Sequence, residues 1–293
     1  MPNPLYQTPL TRYTSIMEVI SLKGKFILSL MLLCILVGCQ SKTSPSPTNQ
    51  NSATAETKKS SPKILFDQGH GQTAGNADWT IQGGYSDFAK ALNQAGYVVE
   101  STHQKLTSSL LQGYQVLILP EPNINYTTDE KRAINDFVKQ GGGVYLIADH
   151  TNSDRNHDGW DSVDIFNGYS SKKDEWVGRI FGFSFHRKNI TQSTIKEIHA
   201  SPLTKQVKEV GCWACTTIRV TKKNPSIIKD ITIQSEPYHI HGTYGSGRFA
   251  ALGDSSPYDD GTGDFKKKLH PNWGKMDHAK LAVQTVKWLA NNP

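Results

Sequence analysis

The chain has 293 residues, 32 Lys and Arg against 26 Asp and Glu, a net charge of +6 and a hydrophobic share of 37%. That is enough apolar content and length for a sizeable core. The charge is mild and no Lys/Arg stripe with interleaved aromatics occurs, so nucleic acid is not an expected partner.

The N-terminal part reads as an address. Lys23 and Lys25 precede Phe26–Val37, a run that is apolar apart from Ser29, and Gly38 and Cys39 follow. A basic flank, a short apolar core and a small residue before the cut form a secretory signal, too short for a spanning helix of about 20 residues. "LVGC" at Leu36–Cys39 resembles the lipobox of bacterial lipoproteins. The resemblance implies residues 1–38 as signal peptide, acylation of Cys39, and a lipid bilayer as partner. It places the protein in the cell envelope, on the outer membrane if the cell is Gram-negative. Met17 is an alternative start. Residues 39–62 are Ser, Thr, Pro, Asn, Gln and Lys with little apolar surface to offset ordering entropy, the composition of a tether.

Residues 63–293 alternate between strand and helix patterns. Lys63–Asp67 is a strand, Ser86–Ala95 an amphipathic helix stopped by Gly96, Tyr97–Glu100 and Gln115–Leu119 strands. Thr127–Gln140 is a helix with a Thr127/Glu130 capping box and a Gly141–Gly143 stop, and Gly143–Ala148 is a strand. These strands are continuous apolar runs, as in parallel sheets covered on both faces. About Trp160–Val220 is less regular. Ile227–Gln234, Pro237–His241 and Arg248–Leu252 are strands, the last two joined by a "YGSGR" hairpin turn, and Asp277–Ala290 is a closing helix. The expected fold class is α/β: a mostly parallel, flavodoxin-like or amidotransferase-like sheet flanked by helices, with an irregular middle insertion and a C-terminal β-hairpin.

Four strands end in polar residues: "ILFDQGHGQ", "LILPEPN", "YLIADHTN" and "FAALGDSSP". Parallel strands point their C-terminal ends to one edge, where α/β sheets bind ligands. Asp67, His70, Asp149, His150 and Asp254 are therefore candidate catalytic or metal-binding residues of one crevice. Carboxylate with imidazole suits acid/base chemistry or a divalent metal. Gln72, Glu121, Ser255 and Trp160 are the expected ligand contacts. Trp79, Trp160 and Trp273 lie in loops, where an aromatic lining suits a sugar ring.

Three further motifs stand out. In "DRNHDGWDSVD", Asp154, Asn156, Asp158 and Gly159 match the first half of a calcium loop. The twelfth position is Ile165, so Asp161 or Asp164 would have to complete a Ca²⁺ site; the rival is a plain polar loop. Cys212 and Cys215 form a C-x-x-C followed by β-branched residues, which suits a short structural disulfide or two free thiols better than a redox pair opening a helix. His239 and His241 share a strand face, as a solvent-facing pair or as weak metal ligands. "KKK" at Lys266–Lys268 reads as a solvated turn.

The segments "KILFDQGH", "GYQVLILPEPN", "FVKQGGGVYLIADH", "SPLTKQV" and "GSGRFAALGDSSP" resemble, in this order, the glutamine amidotransferase-like domains that include trehalose-utilisation-type proteins. The resemblance covers most of 63–293. It implies the fold and leaves activity open. In true amidotransferases the turn after the fourth strand carries a nucleophilic Cys; here "IADHTN" puts Asp149 there, so glutaminase chemistry is not expected. The function expected is hydrolysis of a small polar or carbohydrate ligand, with or without a divalent cation; the alternatives are a non-catalytic binding module or an envelope scaffold. Oligomeric state is not legible.

Overall fold

The structure is a computed structural model that describes residues 61–168, 176–221 and 224–290. The signal run, Cys39 and tether residues 39–60 lie outside the described residues. Among the described residues no helix is long and apolar enough to cross a membrane.

The first half runs β1 (Lys63–Asp67), α1 (Ser86–Gln94), β2 (Val98–Thr102), α2 (Ser108–Leu111), β3 (Val116–Pro120), α3 (Thr128–Lys139) and β4 (Gly143–Ile147). The middle holds α4 (Ser162–Asn167), α5 (Val177–Ile180), β5 (Phe183–Phe185), β6 (Ile190–Ile195), β7 (Val210–Cys215) and β8 (Ile218–Val220). The chain closes with β9 (Ile228–Ile233), β10 (Glu236–Tyr244), β11 (Gly247–Leu252) and α6 (His278–Ala290).

The main sheet has seven strands in the order β2-β1-β3-β4-β11-β10-β9. β2, β1, β3, β4 and β11 are mutually parallel; β10 and β9 add antiparallel strands. This is a mixed α/β arrangement with a mostly parallel central sheet. The middle segment, irregular in sequence, contains two small antiparallel pairs, β5–β8 and β6–β7.

The continuous apolar runs have a simple cause. Side chains alternate across a strand, so every second residue faces one layer. Tyr145 and Ile147 of β4 join the core beneath α1 and α6, while Val144 and Leu146 join the core on the α3 side. β1, β3 and β11 divide in the same way. A strand buried on both faces cannot afford polar positions. Leu146→Ala in so dense a layer should cost about 2–5 kcal/mol. β2 departs from this pattern: it is an edge strand, mostly half-exposed, and it ends in Glu100, Ser101 and Thr102.

Local signals set the boundaries. Thr127 accepts from the Glu130 amide and Glu130 from the Thr127 amide, so the expected capping box opens α3. The β10–β11 hairpin turns at Gly245, whose φ of +60° suits glycine.

Candidate active site

The parallel strands deliver Asp67, Glu121, Asp149 and Asp254 to one edge of the sheet, all buried. They divide into two networks.

The first centres on Glu121 and Asp149. Arg155 Nε donates to Glu121 Oε1 (2.7 Å) and its Nη2 donates to Asp149 Oδ2 (2.7 Å) and Glu121 Oε2 (3.2 Å). The Trp79 indole N–H also donates to Glu121. Ser255 Oγ lies 2.8 Å from Glu121 Oε2 and 3.1 Å from Asp149 Oδ2. Glu121, between two prolines, has φ +26°, a conformation that costs a side-chain-bearing residue about 1–3 kcal/mol and is held by such surroundings.

One guanidinium cannot neutralise two buried carboxylates. Burial, then the charge of Glu121, pushes the Asp149 carboxyl well above its usual range, against the pull of Arg155. The Ser255 hydroxyl has one hydrogen to give and two acceptors in reach, Glu121 Oε2 being the nearer and Asp149 Oδ2 the farther. Arg155 keeps its proton more firmly than usual: burial opposes the charge, but Glu121 and Asp149 outweigh it.

Asp254 sits beside this group. It accepts from Trp213 N (2.8 Å), Ser256 N (2.8 Å) and Ser256 Oγ (2.7 Å). Burial still pushes it up to about 7, against the lowering effect of those donors. Gly253 lets this turn pass Thr216: a Cβ there would meet the Thr216 carbonyl oxygen at 2.0 Å.

The second network contains Asp67 and His70. His70 Nδ1 is 2.9 Å from Asp67 Oδ2 and Nε2 is 3.1 Å from Glu130 Oε1, while Tyr126 OH donates to Asp67 Oδ2 (2.8 Å). Burial disfavours charge on this imidazole, but Asp67 and Glu130 together raise its pKa. Gln72 is a strut, accepting from His70 N and donating to the Pro120 carbonyl. The networks meet through a loop: Asn123 N donates to His70 O, and Arg155 N donates to Asn123 Oδ1.

Above the first network opens a cavity of about 470 Å³. Asp149 and His150 line it, with Arg155, Trp213, Lys268 and His270 among the walls. Burial lowers the pKa of His150, and its Nδ1 is buried without a hydrogen-bond partner. Asp67, His70 and Gln72 are not in the lining; Asp254, Glu121 and Ser255 are fully buried and also outside it. Trp160 lies elsewhere, beside Trp176 in another depression.

The remaining motifs have definite places. Asp154 accepts from the amides of Asp158 and Gly159, and Asp158 from that of Trp160. Asp161 caps α4 by accepting from Asp164 N and also accepts from Asn152 N, while Asp164 pairs with Arg187. Asn156 bonds to Asp158 and to the Asn123 carbonyl. Cys212 and Cys215 are disulfide-bonded. Their sulfurs and an Asp254 oxygen lie within 4.8 Å of one another, but each sulfur is already bound to the other. His239 and His241 do not face solvent: both are buried, with Nδ1 2.9 Å and 2.8 Å from Asp230 carboxylate oxygens. That contact holds Asp230 down at about 2, despite burial. The Lys266–Lys268 turn is not simply solvated, since Lys268 lines the crevice and Lys267 Nζ bonds the Thr73 and Gly75 carbonyls.

Sequence reasoning missed Arg155, Trp213, Lys268 and Lys275. Arg155 hides as a spacer in the apparent calcium loop, 34 residues from Glu121. Lys275 comes from the segment before α6, where no motif announces it, and Trp213 from β7, inside the C-x-x-C motif whose reading concerned only the two cysteines.

No protein-family model matches the chain, and no curated protein matches it. Solved structures do overlap with it. The structure named "mmIFT52 N-terminal domain" has 15% identity and a TM-score of 0.57, covering 78% of this chain and 97% of that one. A cytoplasmic protein of Salmonella typhimurium LT2 has 12% identity and a TM-score of 0.53, covering 78% and 99%. A putative ThuA-like protein from Bacteroides uniformis has 18% identity and a TM-score of 0.49, covering 78% and 92%. At such identities the first two likenesses are of fold alone, a mixed α/β domain that hosts unrelated activities.

Proposed function

We propose that the crevice binds a small polar or carbohydrate ligand and hydrolyses it by general acid–base catalysis. The observation that carries this reading is the pair Asp149 and His150, consecutive at the crevice floor, whose proton affinities are pushed in opposite directions. Asp149 holds its proton more tightly than a free carboxyl does, and His150 holds one less tightly than a free imidazole does. Environments that separate two titratable groups in this way suit an acid and a base. Arg155, Glu121 and Ser255 position Asp149. Arg155 pairs with both Glu121 and Asp149 and so offsets part of their negative charge.

The proposed setting is the cell envelope, with the chain anchored through acylated Cys39. The test is turnover of a panel of glycosides and amides by the full-length protein in detergent. Asp149→Asn and His150→Ala should each lower kcat about 100-fold. Binding without turnover would favour the rival, a non-catalytic binding module, for which the engagement of Asp149 with Arg155 and Ser255 is the supporting observation. No binding at all would sink both.

A further inference from the structure

We propose that the crevice selects a small organic anion, a ring-sized molecule carrying a carboxylate or phosphoryl group, seated by Lys268, Lys275 and His150. The inference rests on the crevice being a ligand site and adds the class of ligand.

The charge balance of the walls is the first argument. Arg155 is engaged by Glu121 and Asp149. Lys268 and Lys275 have no carboxylate partner among the described residues; Lys275 Nζ bonds only the neutral Asn272 Oδ1 (2.9 Å). Asp149 is the one carboxylate in the lining, and it is already engaged by Arg155 and Ser255. The wall therefore faces its contents with two unpaired ammonium groups. Like charges across a cleft focus a field that attracts the opposite charge.

A reporter inside the cavity agrees. His270, on the same wall, has its pKa lowered first by burial and then by Lys268, Arg155 and Lys275 together. Three cations thus act on one point of the lining. His150 lines the same cavity, and burial lowers its pKa, which makes its imidazole an uncharged polar neighbour for the bound group.

The aromatic walls argue against a neutral sugar stacked on an indole. Trp79 is buried, and Arg155 covers its ring at 5.9 Å. Lys275 lies over the Trp213 ring at 5.5 Å. Both indoles already hold cations against a face, which keeps positive charge pointing at the cavity. The volume of about 470 Å³ suits a single ring with its substituents.

The experiment is calorimetric titration of the full-length protein with glucuronate, glucose 6-phosphate, inorganic phosphate and glucose at pH 7. One or more anions should bind at least about tenfold tighter than glucose, and added salt should weaken that binding. Tighter glucuronate assigns the carboxylate; tighter glucose 6-phosphate or phosphate assigns the phosphoryl group. Lys268→Met with Lys275→Met should erase the preference at an unchanged melting temperature. Glucose binding as tightly as every anion overturns the inference and leaves the proposed crevice standing. Silence from all four compounds overturns both.

Discussion

Glu121 and Asp149 share one cation and one hydroxyl: Arg155 reaches both carboxyl groups, and Ser255 Oγ bridges them at 2.8 and 3.1 Å. Two carboxyl groups from adjacent strands cannot both be ionised so close together out of water, and the arrangement assigns them unequal roles. Glu121 takes the Arg155 fork, the Trp79 indole and a hydroxyl. Asp149, at the cavity wall, is the one whose carboxyl is pushed up, by burial and then by the charge of Glu121.

That asymmetry predicts opposite outcomes for two substitutions. Asp149→Asn puts a neutral isostere in place of a carboxyl whose proton affinity is raised and should change stability by less than about 1 kcal/mol at pH 5. The folded pKa of Asp149 is raised, so its contribution is full below about pH 4 and is lost as pH rises through the folded value. The variant should therefore gain on the wild type as pH rises. Glu121→Ala leaves Arg155 with Asp149 as its remaining carboxyl partner, takes the acceptor from Trp79 and Ser255, and should cost about 3 kcal/mol. Urea denaturation of both variants between pH 5 and 8 reads the difference; equal losses would refute the unequal roles.

His70 offers a second pH test. Its raised pKa means a contribution fully present below about pH 6.5 and lost as pH climbs through the folded value. Glu130 is lowered: burial opposes ionisation, but donors from Thr127 and the charge of His70 prevail. Its contribution is present above about pH 4.5 and lost on acidification. The network should hold best between these limits. His70→Gln should lose most relative to wild type near pH 6, with the gap narrowing by pH 8. A gap that widens with pH would contradict the ion pairing.

The sheet was legible because its strands are buried on both faces, which forces continuous runs such as "VYLIA" into the sequence. The clustering of Glu121, Asp149 and Asp254 followed from strand direction, since β3, β4 and β11 are neighbours. Asp67 and His70 obeyed the same rule but went to a different network, because Glu130 and Tyr126, on and before α3, gave them partners that strand order cannot reveal. Arg155 was passed over because a calcium-loop pattern specifies alternate oxygens and is blind to what lies between them. β10 showed two histidines but not their burial, which depends on Asp230 in the adjacent strand.

The Asp154–Asp164 loop can be tested directly. Asp161 is committed to α4 as its N-cap, and losing that cap should cost about 1 kcal/mol. Asp161→Ala should therefore lower the melting temperature equally with calcium or chelator present. A calcium-induced rise in wild type that Asp161→Ala abolishes would return Asp161 to a cation's ligand set.

Cys39→Ser addresses the anchor. It should abolish labelling by a radiolabelled fatty acid and release the protein from the membrane fraction. Retention with normal processing would defeat the lipobox reading.

The disulfide links stability to the crevice. Trp213 and Ala214, the two residues between Cys212 and Cys215, both line the cavity, and Ala214 sits at φ +63°. Trp213 N is tied to Asp254 beneath. So short a closed loop removes little freedom from the unfolded chain, worth about 2 kcal/mol. Its larger consequence is local, because it fixes a wall residue in a left-handed conformation that alanine does not favour. Cys212→Ser with Cys215→Ser should lower unfolding free energy by about that amount and weaken ligand binding several-fold through a faster off-rate. The companion variant Ala214→Gly, which accepts positive φ without strain, should bind as wild type while the bridge is intact. If the double serine variant binds unchanged, the bridge serves the fold and not the crevice.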